Sequence, residues 1–223
     1  MKKKLSGQAL FKFTAGVLVI GSLLFGCAGT FAYWQGWLLM AILFISMFLA
    51  GLVLLAKNPK LLERRLHAKE EQPTQSTLIQ LSGLMFVAAF SCAGLGIRFG
   101  WIQFPAWISW LGALLFLAAY GLYAEVLREN TWLSRTIEVQ DGQQVVDSGL
   151  YGIVRHPMYA VTLLLFLFMP LVLGSPFAFL VLLLYPVLIA RRIQNEEQVL
   201  ERELTGYREY KTRIRYRLIP YFW

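Results

Sequence analysis

The sequence predicts an all-α integral membrane protein of about six transmembrane helices. The last two fold as a helical hairpin, beside a small cytosolic segment and a C-terminal amphipathic helix. Three observations predict this. Hydrophobic residues make up 57% of the 223 residues and mean hydropathy is +0.56, more than a soluble domain of this size carries. Four apolar runs, at 13–32, 35–56, 78–97 and 104–127, have no charge near their middle, and each is long enough to cross a hydrocarbon core of about 30 Å. A fifth run, 158–190, is too long for one span and is broken by Pro170, Gly174 and Pro176.

Backbone groups in lipid must be satisfied within their own segment, so these runs are helices. Lys2, Lys3 and Lys4 ahead of the first run resemble a signal peptide, and the stretch around Cys27 loosely resembles a lipoprotein cleavage site. The run is long for a signal peptide, and cleavage would leave the tail on the wrong side, so a retained anchor is expected. Cys27 and Cys92 fall inside spans without a CxxC partner and read as apolar packing. Trp34, Trp37, Trp101, Trp107 and Trp110 sit near span ends as interfacial belt residues. The charged stretch 57–77, punctuated by Pro59 and Pro73, reads as a connector. In 128–157, Ile137–Gln140 and Gln143–Val146 flank Asp141-Gly142, a turn signal that predicts a small hairpin or extended clamp. The long fifth run then folds into arms at 159–173 and 176–193. After Glu197, the recurrence of Val199, Leu200 and Leu204 predicts an amphipathic helix. Tyr207 and Tyr210 follow as expected interfacial anchors, and the basic run Arg213–Arg217 suits the headgroup layer.

Charge sets an expected orientation. With an even helix count, twenty of the 21 Lys and Arg fall on one face and Arg98 alone on the other. The positive-inside rule makes the basic face cytosolic, with both termini on it, in the cell (inner) membrane. The net charge of +8 then follows from topology and an attraction to anionic membrane lipids, and no nucleic-acid partner is expected.

Two polar clusters bracket the fifth run: Gly149–Tyr159 before it and Arg191–Glu197 after it. Folding the run back brings Arg192 and Glu196 beside His156 and Tyr159 on the cytosolic face. A lone His there is often a helix cap, and Arg192 with Glu196 is an i,i+4 pair worth about 0.3–0.5 kcal/mol. Two such clusters at the ends of one hairpin point instead to a site. The chain's two His, His67 and His156, lie in separate loops, so no metal site is expected.

The pattern Gly149-x-Tyr151-x-x-x-Arg155-His156-Pro157-x-Tyr159, followed by Arg192-x-x-x-Glu196-Glu197, resembles the isoprenylcysteine carboxyl methyltransferases and their prokaryotic relatives, which include phospholipid N-methyltransferases. The resemblance covers about 130–220; residues 1–125 share only their transmembrane character. It implies an N-terminal transmembrane part, 1–127, and a cofactor-binding region, 128–223. It also implies S-adenosylmethionine in a cytosol-facing pocket and a lipophilic substrate arriving from the bilayer. Carried over by motif, Gln143, Gln144, Val145, Val146, Tyr151, His156, Pro157, Met158, Tyr159 and Glu196 would contact the cofactor, with Gln140 a further candidate. Arg192 matches the family's substrate-side arginine and is the candidate catalytic residue. Val161 stands where many members carry Gly, and Leu150 replaces the usual Pro of Gly-Pro-Tyr; both departures bear on substrate choice.

The residue chemistry agrees. Methyl transfer from a sulfonium is an in-line displacement, in which positioning and electrostatics dominate. Glu196 suits an ammonium or ribose hydroxyls, the 143–146 backbone and Tyr151 an adenosine, and His156 a carboxylate or hydroxyl. Pro157 pre-sets the start of a helix, and Arg192 is a natural fork for a substrate carboxylate. These residues alone do not choose a carboxylate over an amine, thiol or phenol. The rival enzyme reading, an NADPH-dependent membrane reductase of the sterol-reductase type, calls for a basic cluster for the 2′-phosphate, and the sequence shows no dedicated one. The rival outside enzymology, a small transporter, calls for ionisable groups at mid-bilayer depth, and the first four runs have none.

Overall fold

A computed structural model describes residues 2–66, 73–134 and 136–223, and all regular structure among them is helical. His67, Lys69, Glu70–Gln72 and Arg135 lie outside the described residues. The helices are α1 (Lys2–Ala28), α2 (Trp34–Lys57), α3 (Pro59–Leu66), α4 (Pro73–Arg98), α5 (Ala106–Glu129), α6 (Pro157–Val172), α7 (Pro176–Leu182), α8 (Tyr185–Glu203) and α9 (Tyr207–Arg213). Five segments are long and apolar enough to cross a membrane: 5–28, 34–57, 75–98, 106–129, and 176–203, the last counting α7 and α8 together. α6 is apolar but has 16 residues, about 24 Å of helix.

Helices pack where small residues let backbones approach, the usual arrangement in membrane bundles. A Cβ on Gly94 of α4 would fall 2.6 Å from the Leu24 carbonyl oxygen of α1, and one on Gly112 of α5 would fall 2.9 Å from the Val172 nitrogen of α6. Around these contacts Leu24, Leu39, Ala93, Phe116, Val126, Val172 and Leu182 form one buried core. Trp34, Trp37, Trp101, Trp107 and Trp110 are all exposed.

The fifth apolar run departs from two simple arms. The first arm ends at Leu173-Gly174-Ser175, where Gly174 has φ 70°. The Tyr33 hydroxyl donates to the Leu173 carbonyl at 2.7 Å and the Ser175 hydroxyl accepts from Ala178 N–H. The expected second arm, 176–193, is two helices: it breaks at Leu183-Leu184, because Pro186 offers no N–H to continue the ladder. Nor does it end at 193. α8 runs through to Glu203 and absorbs the separate amphipathic helix expected after Glu197; helical hydrogen bonding continues across the change from apolar to charged sequence.

Three further expectations change. The connector 57–77 contains a short amphipathic helix, α3, started by Asn58, whose side-chain oxygen accepts from Leu61 N–H at 3.1 Å. The turn at Asp141-Gly142 forms, with Gly142 at φ 74° and Gln143 N–H donating to the Gln140 carbonyl at 3.0 Å. No strand ladder follows it among the described residues, so the segment is an extended clamp rather than a hairpin. Tyr207 and Tyr210 are buried, not interfacial anchors: Gly206, at φ 85°, turns the chain back, and their rings pack with Leu204 against Val139 and Val145 of the clamp.

Candidate active site

A cavity of about 540 Å³ lies at the end of the bundle that carries both polar clusters. It has two limbs. The clamp, the Gly149–Gly152 turn, the start of α6 and the charged half of α8 enclose a polar limb lined by Gln143, Gln144, Val145, Val146, Tyr151, His156, Met158, Tyr159 and Glu196. Leu78, Ile79 and Phe86 of α4, Phe166 of α6, and Leu188 and Ile189 of α8 line an apolar limb. Arg192 also lines the cavity, and its bond to Tyr159 places it where the limbs meet.

Arg192 and Glu196, one turn apart on α8, both reach Tyr159. Arg192 Nε donates to the Tyr159 hydroxyl at 2.9 Å, and that hydroxyl donates to Glu196 Oε2 at 2.5 Å. The guanidinium carbon lies 5.9 Å from the centre of the Tyr159 ring. One phenol therefore ties together the two α8 side chains that the sequence singled out.

Glu197, one residue on and about 100° around the helix, faces away from them. Its carboxylate is 3% exposed and takes Arg155 Nε at 2.7 Å, Arg217 Nε at 3.1 Å and His156 Nε2 at 3.3 Å, with Lys211 Nζ at 3.6 Å. Arg155 Nη1 also donates to the carbonyls of Ile214 and Arg215 at 2.7 and 2.8 Å. The backbone joins in: Arg155 N–H donates to Tyr216 O and His156 N–H to Arg217 O, both at 2.9 Å. A buried carboxylate persists only when paired and fully hydrogen-bonded, and this one fastens the tail to the Arg155-His156 segment. The role of this cluster was not foreseen. Its signal lay within the motif, where Arg155 and Glu197 each stand beside a residue that was given a role.

The turn before α6 is built around Glu129, whose carboxylate oxygens accept from Leu150 N–H at 3.1 and 2.9 Å. Gly149 sits there at φ 53°, a conformation that favours glycine, and a Cβ would fall 1.6 Å from Glu129 Oε1 and displace that carboxylate. The Tyr210 hydroxyl holds the Tyr151 carbonyl at 2.8 Å. The Tyr207 hydroxyl is buried with no hydrogen-bond partner among the described residues, the Tyr151 hydroxyl is buried beside Asn130, and burial raises both above the ordinary phenol pKa.

Two expected contacts do not reach the cavity. Gln140 is spent inside the clamp, its N–H donating to Gln143 Oε1 at 3.0 Å and its side chain to the Trp132 carbonyl at 2.8 Å. Pro157 is buried in the first turn of α6. Val161 is buried in the core rather than on the cavity wall. Conversely, α3 supplies a wall residue that sequence reasoning missed. Arg65 lines the cavity and donates to the Tyr123 hydroxyl at 2.6 Å, while Arg64 donates to the Thr131 carbonyl at 2.8 Å and lies over Trp132. A short charged helix after a span gives little pattern to read. Among the described residues no group of three His, Cys, Asp or Glu is placed to hold a metal.

Comparison with known proteins bears on this geometry. The chain is 37% identical over 90 residues to "Delta(14)-sterol reductase TM7SF2" of Mus musculus, covering 39% of this chain and 21% of that protein. The chain thus spans about a fifth of that relative's length. Residues 101–202 match the isoprenylcysteine carboxyl methyltransferase (ICMT) family. That stretch carries the clamp, the Gly149–Tyr159 motif, the apolar arms and the Arg192–Glu197 cluster. Over these residues, which build most of the cavity, the chain is similar to the isoprenylcysteine carboxyl methyltransferase family.

Proposed function

We propose that the protein is an S-adenosylmethionine-dependent methyltransferase that acts on a lipophilic acceptor, a carboxylate being the group best matched to Arg192. The observation that carries this reading is one cavity lined by both polar and apolar residues, with Arg192, Tyr159 and Glu196 linked on its wall. An enzyme that brings a polar donor and an apolar acceptor together needs both environments to meet at the reacting atoms.

The polar limb fits the cofactor. Tyr207 brings a buried hydroxyl without a partner, and the main chain of Gln144–Val146 makes no hydrogen bond, both among the described residues. These are unspent donors and acceptors of the kind a nucleoside uses. The cofactor would supply an electrophilic methyl group. Glu196 would hold its ammonium or ribose hydroxyls, with Tyr159 fixing the carboxylate's direction. Arg192 would orient the acceptor's carboxylate, and the clamp would keep water from the reacting groups. In this reading residues 128–223 bind the cofactor and 1–127 form the membrane part, with α4 lending the acceptor a wall.

A reductase reading is favoured by the sterol-reductase match. The cavity does contain Arg65 and Arg155, but Arg155 is committed to Glu197 and two tail carbonyls, and Arg65 to Tyr123. Neither is an unspent fork for a 2′-phosphate. Isothermal titration of the purified protein decides between the two: S-adenosylhomocysteine should bind and NADPH should not, and the reverse result would sink the methyltransferase reading. The charge asymmetry supports a cytosolic site with Arg98 outside. A cysteine at position 60 should be shielded from impermeant reagents in intact cells, and one at position 100 labelled.

A further inference from the structure

On the apolar limb, Ile79 of α4 is 41% exposed, and nothing lies within 4 Å of a Cβ built on Gly83. Phe86 of α4, Phe166 of α6 and Tyr185 of α8 also line the cavity and pack on one another. Ring centres are 4.4 Å apart for Phe86–Phe166, 4.8 Å for Phe166–Tyr185 and 5.9 Å for Phe86–Tyr185, the first two contacts edge-on. Two hydroxyl residues on the wall are spent on their own helices. Ser82 donates to the Leu78 carbonyl and Thr162 to the Met158 carbonyl, both at 2.7 Å. Neither offers a donor to the limb. Arg192, also on the cavity wall, lies seven residues from Tyr185 on the same helix, about 10 Å along its axis.

We propose that Phe86, Phe166 and Tyr185 form the floor of the acceptor's hydrophobic subsite and so limit the length of the apolar chain that fits beneath a head group held at Arg192. The proposal rests on reading this cavity as the acceptor site. It makes the acceptor an amphiphile with one anionic head and one tail of bounded length, and it makes these three rings specificity determinants. Edge-on aromatic packing is rigid and dense, so the floor is a stop rather than a soft wall.

The test uses full-length protein in phosphatidylcholine nanodiscs and saturated n-alkyl carboxylates from octanoate to octadecanoate. Retention above empty discs is read by mass spectrometry. Lipid tails are as apolar as the limb, so retention should stay level with length until the chain meets the floor. It should then fall by about tenfold, as overpacking a dense site does. Phe166→Ala should move the cutoff to longer chains and Phe86→Leu, a milder change, should move it the same way. Gly83→Phe should lower retention at every length. A wild-type profile without a cutoff, or a cutoff that both floor variants leave in place, would overturn the proposal. S-adenosylhomocysteine titration on the same samples separates the two readings. Nucleoside binding without a cutoff removes the floor alone, whereas a cutoff without nucleoside binding supports the floor and removes the methyltransferase reading.

Discussion

The two sides of α8 use similar side chains for opposite purposes. On the cavity side, Arg192 and Glu196 meet through the Tyr159 hydroxyl at the edge of a space large enough for ligands. On the tail side, Glu197 is buried beneath Arg155, His156 and Arg217, and its bonds hold the chain's own end in place. The difference is what surrounds each carboxylate. A group at a cavity edge can trade its partner for a ligand; one paired with the buried Arg155 cannot leave without stranding it. Removing residues on the tail side should therefore cost stability, and removing those on the cavity side should cost binding and turnover.

The largest effect is expected at Glu197. Glu197→Ala strands Arg155, itself 4% exposed, and should destabilise the protein by about 3–5 kcal/mol in denaturant unfolding. Arg155→Met with Glu197→Leu should restore much of that loss. If Glu197→Ala kept wild-type stability and lost only activity, the division between the two sides would fail.

Glu196→Gln should behave in the other way. It should weaken S-adenosylhomocysteine binding by about 1.5–3 kcal/mol, as expected for a hydrogen bond to a charged group, with unfolding little changed. Arg192→Ala should leave that affinity within a few-fold while lowering turnover or raising the acceptor's KM. Loss of nucleoside binding in Arg192→Ala, with Glu196→Gln unaffected, would reverse the two roles.

Tyr159→Phe sharpens the comparison, because this hydroxyl touches both cavity-side groups and none of the tail cluster. A loss of about 0.5–1.5 kcal/mol in nucleoside binding is expected, together with a fall in turnover. A large drop in melting temperature would instead make Tyr159 part of the scaffold. The smallest effect belongs to the exposed Arg213–Asp147 pair, which joins tail and clamp at 2.6 Å with side chains 62% and 44% exposed. Arg213→Ala should change stability by less than about 1 kcal/mol, and less still in high salt.

Much of this contrast was legible in the chain and much was not. The apolar runs, the belt tryptophans, the turn at Asp141-Gly142 and the two polar clusters all announce themselves through composition and spacing. α3 did not, because eight residues with four charges look like any hydrophilic loop. The tyrosines at 207 and 210 looked like interfacial anchors because aromatic residues beside basic ones usually are. Only the turn at Gly206 and the clamp opposite make them core. Gln140 looked like its neighbour Gln143, and the bond from its side chain to the Trp132 carbonyl sent it the other way.

By itself the sequence determined that this chain enters a membrane as helices, and that polar groups gather at both ends of its last apolar stretch. Those properties are sums over many residues, and lipid permits few alternatives to a helix. The tertiary structure alone decided that Glu197, adjacent to Glu196, locks the tail, and which three aromatic rings from three helices meet on the apolar limb. Each residue along a helix turns its side chain by about 100°, so the facing of any one depends on how the whole helix is rotated against its neighbours. That rotation is set by the packing of α4, α6, α8 and the returning tail together, contacts between residues far apart in the chain.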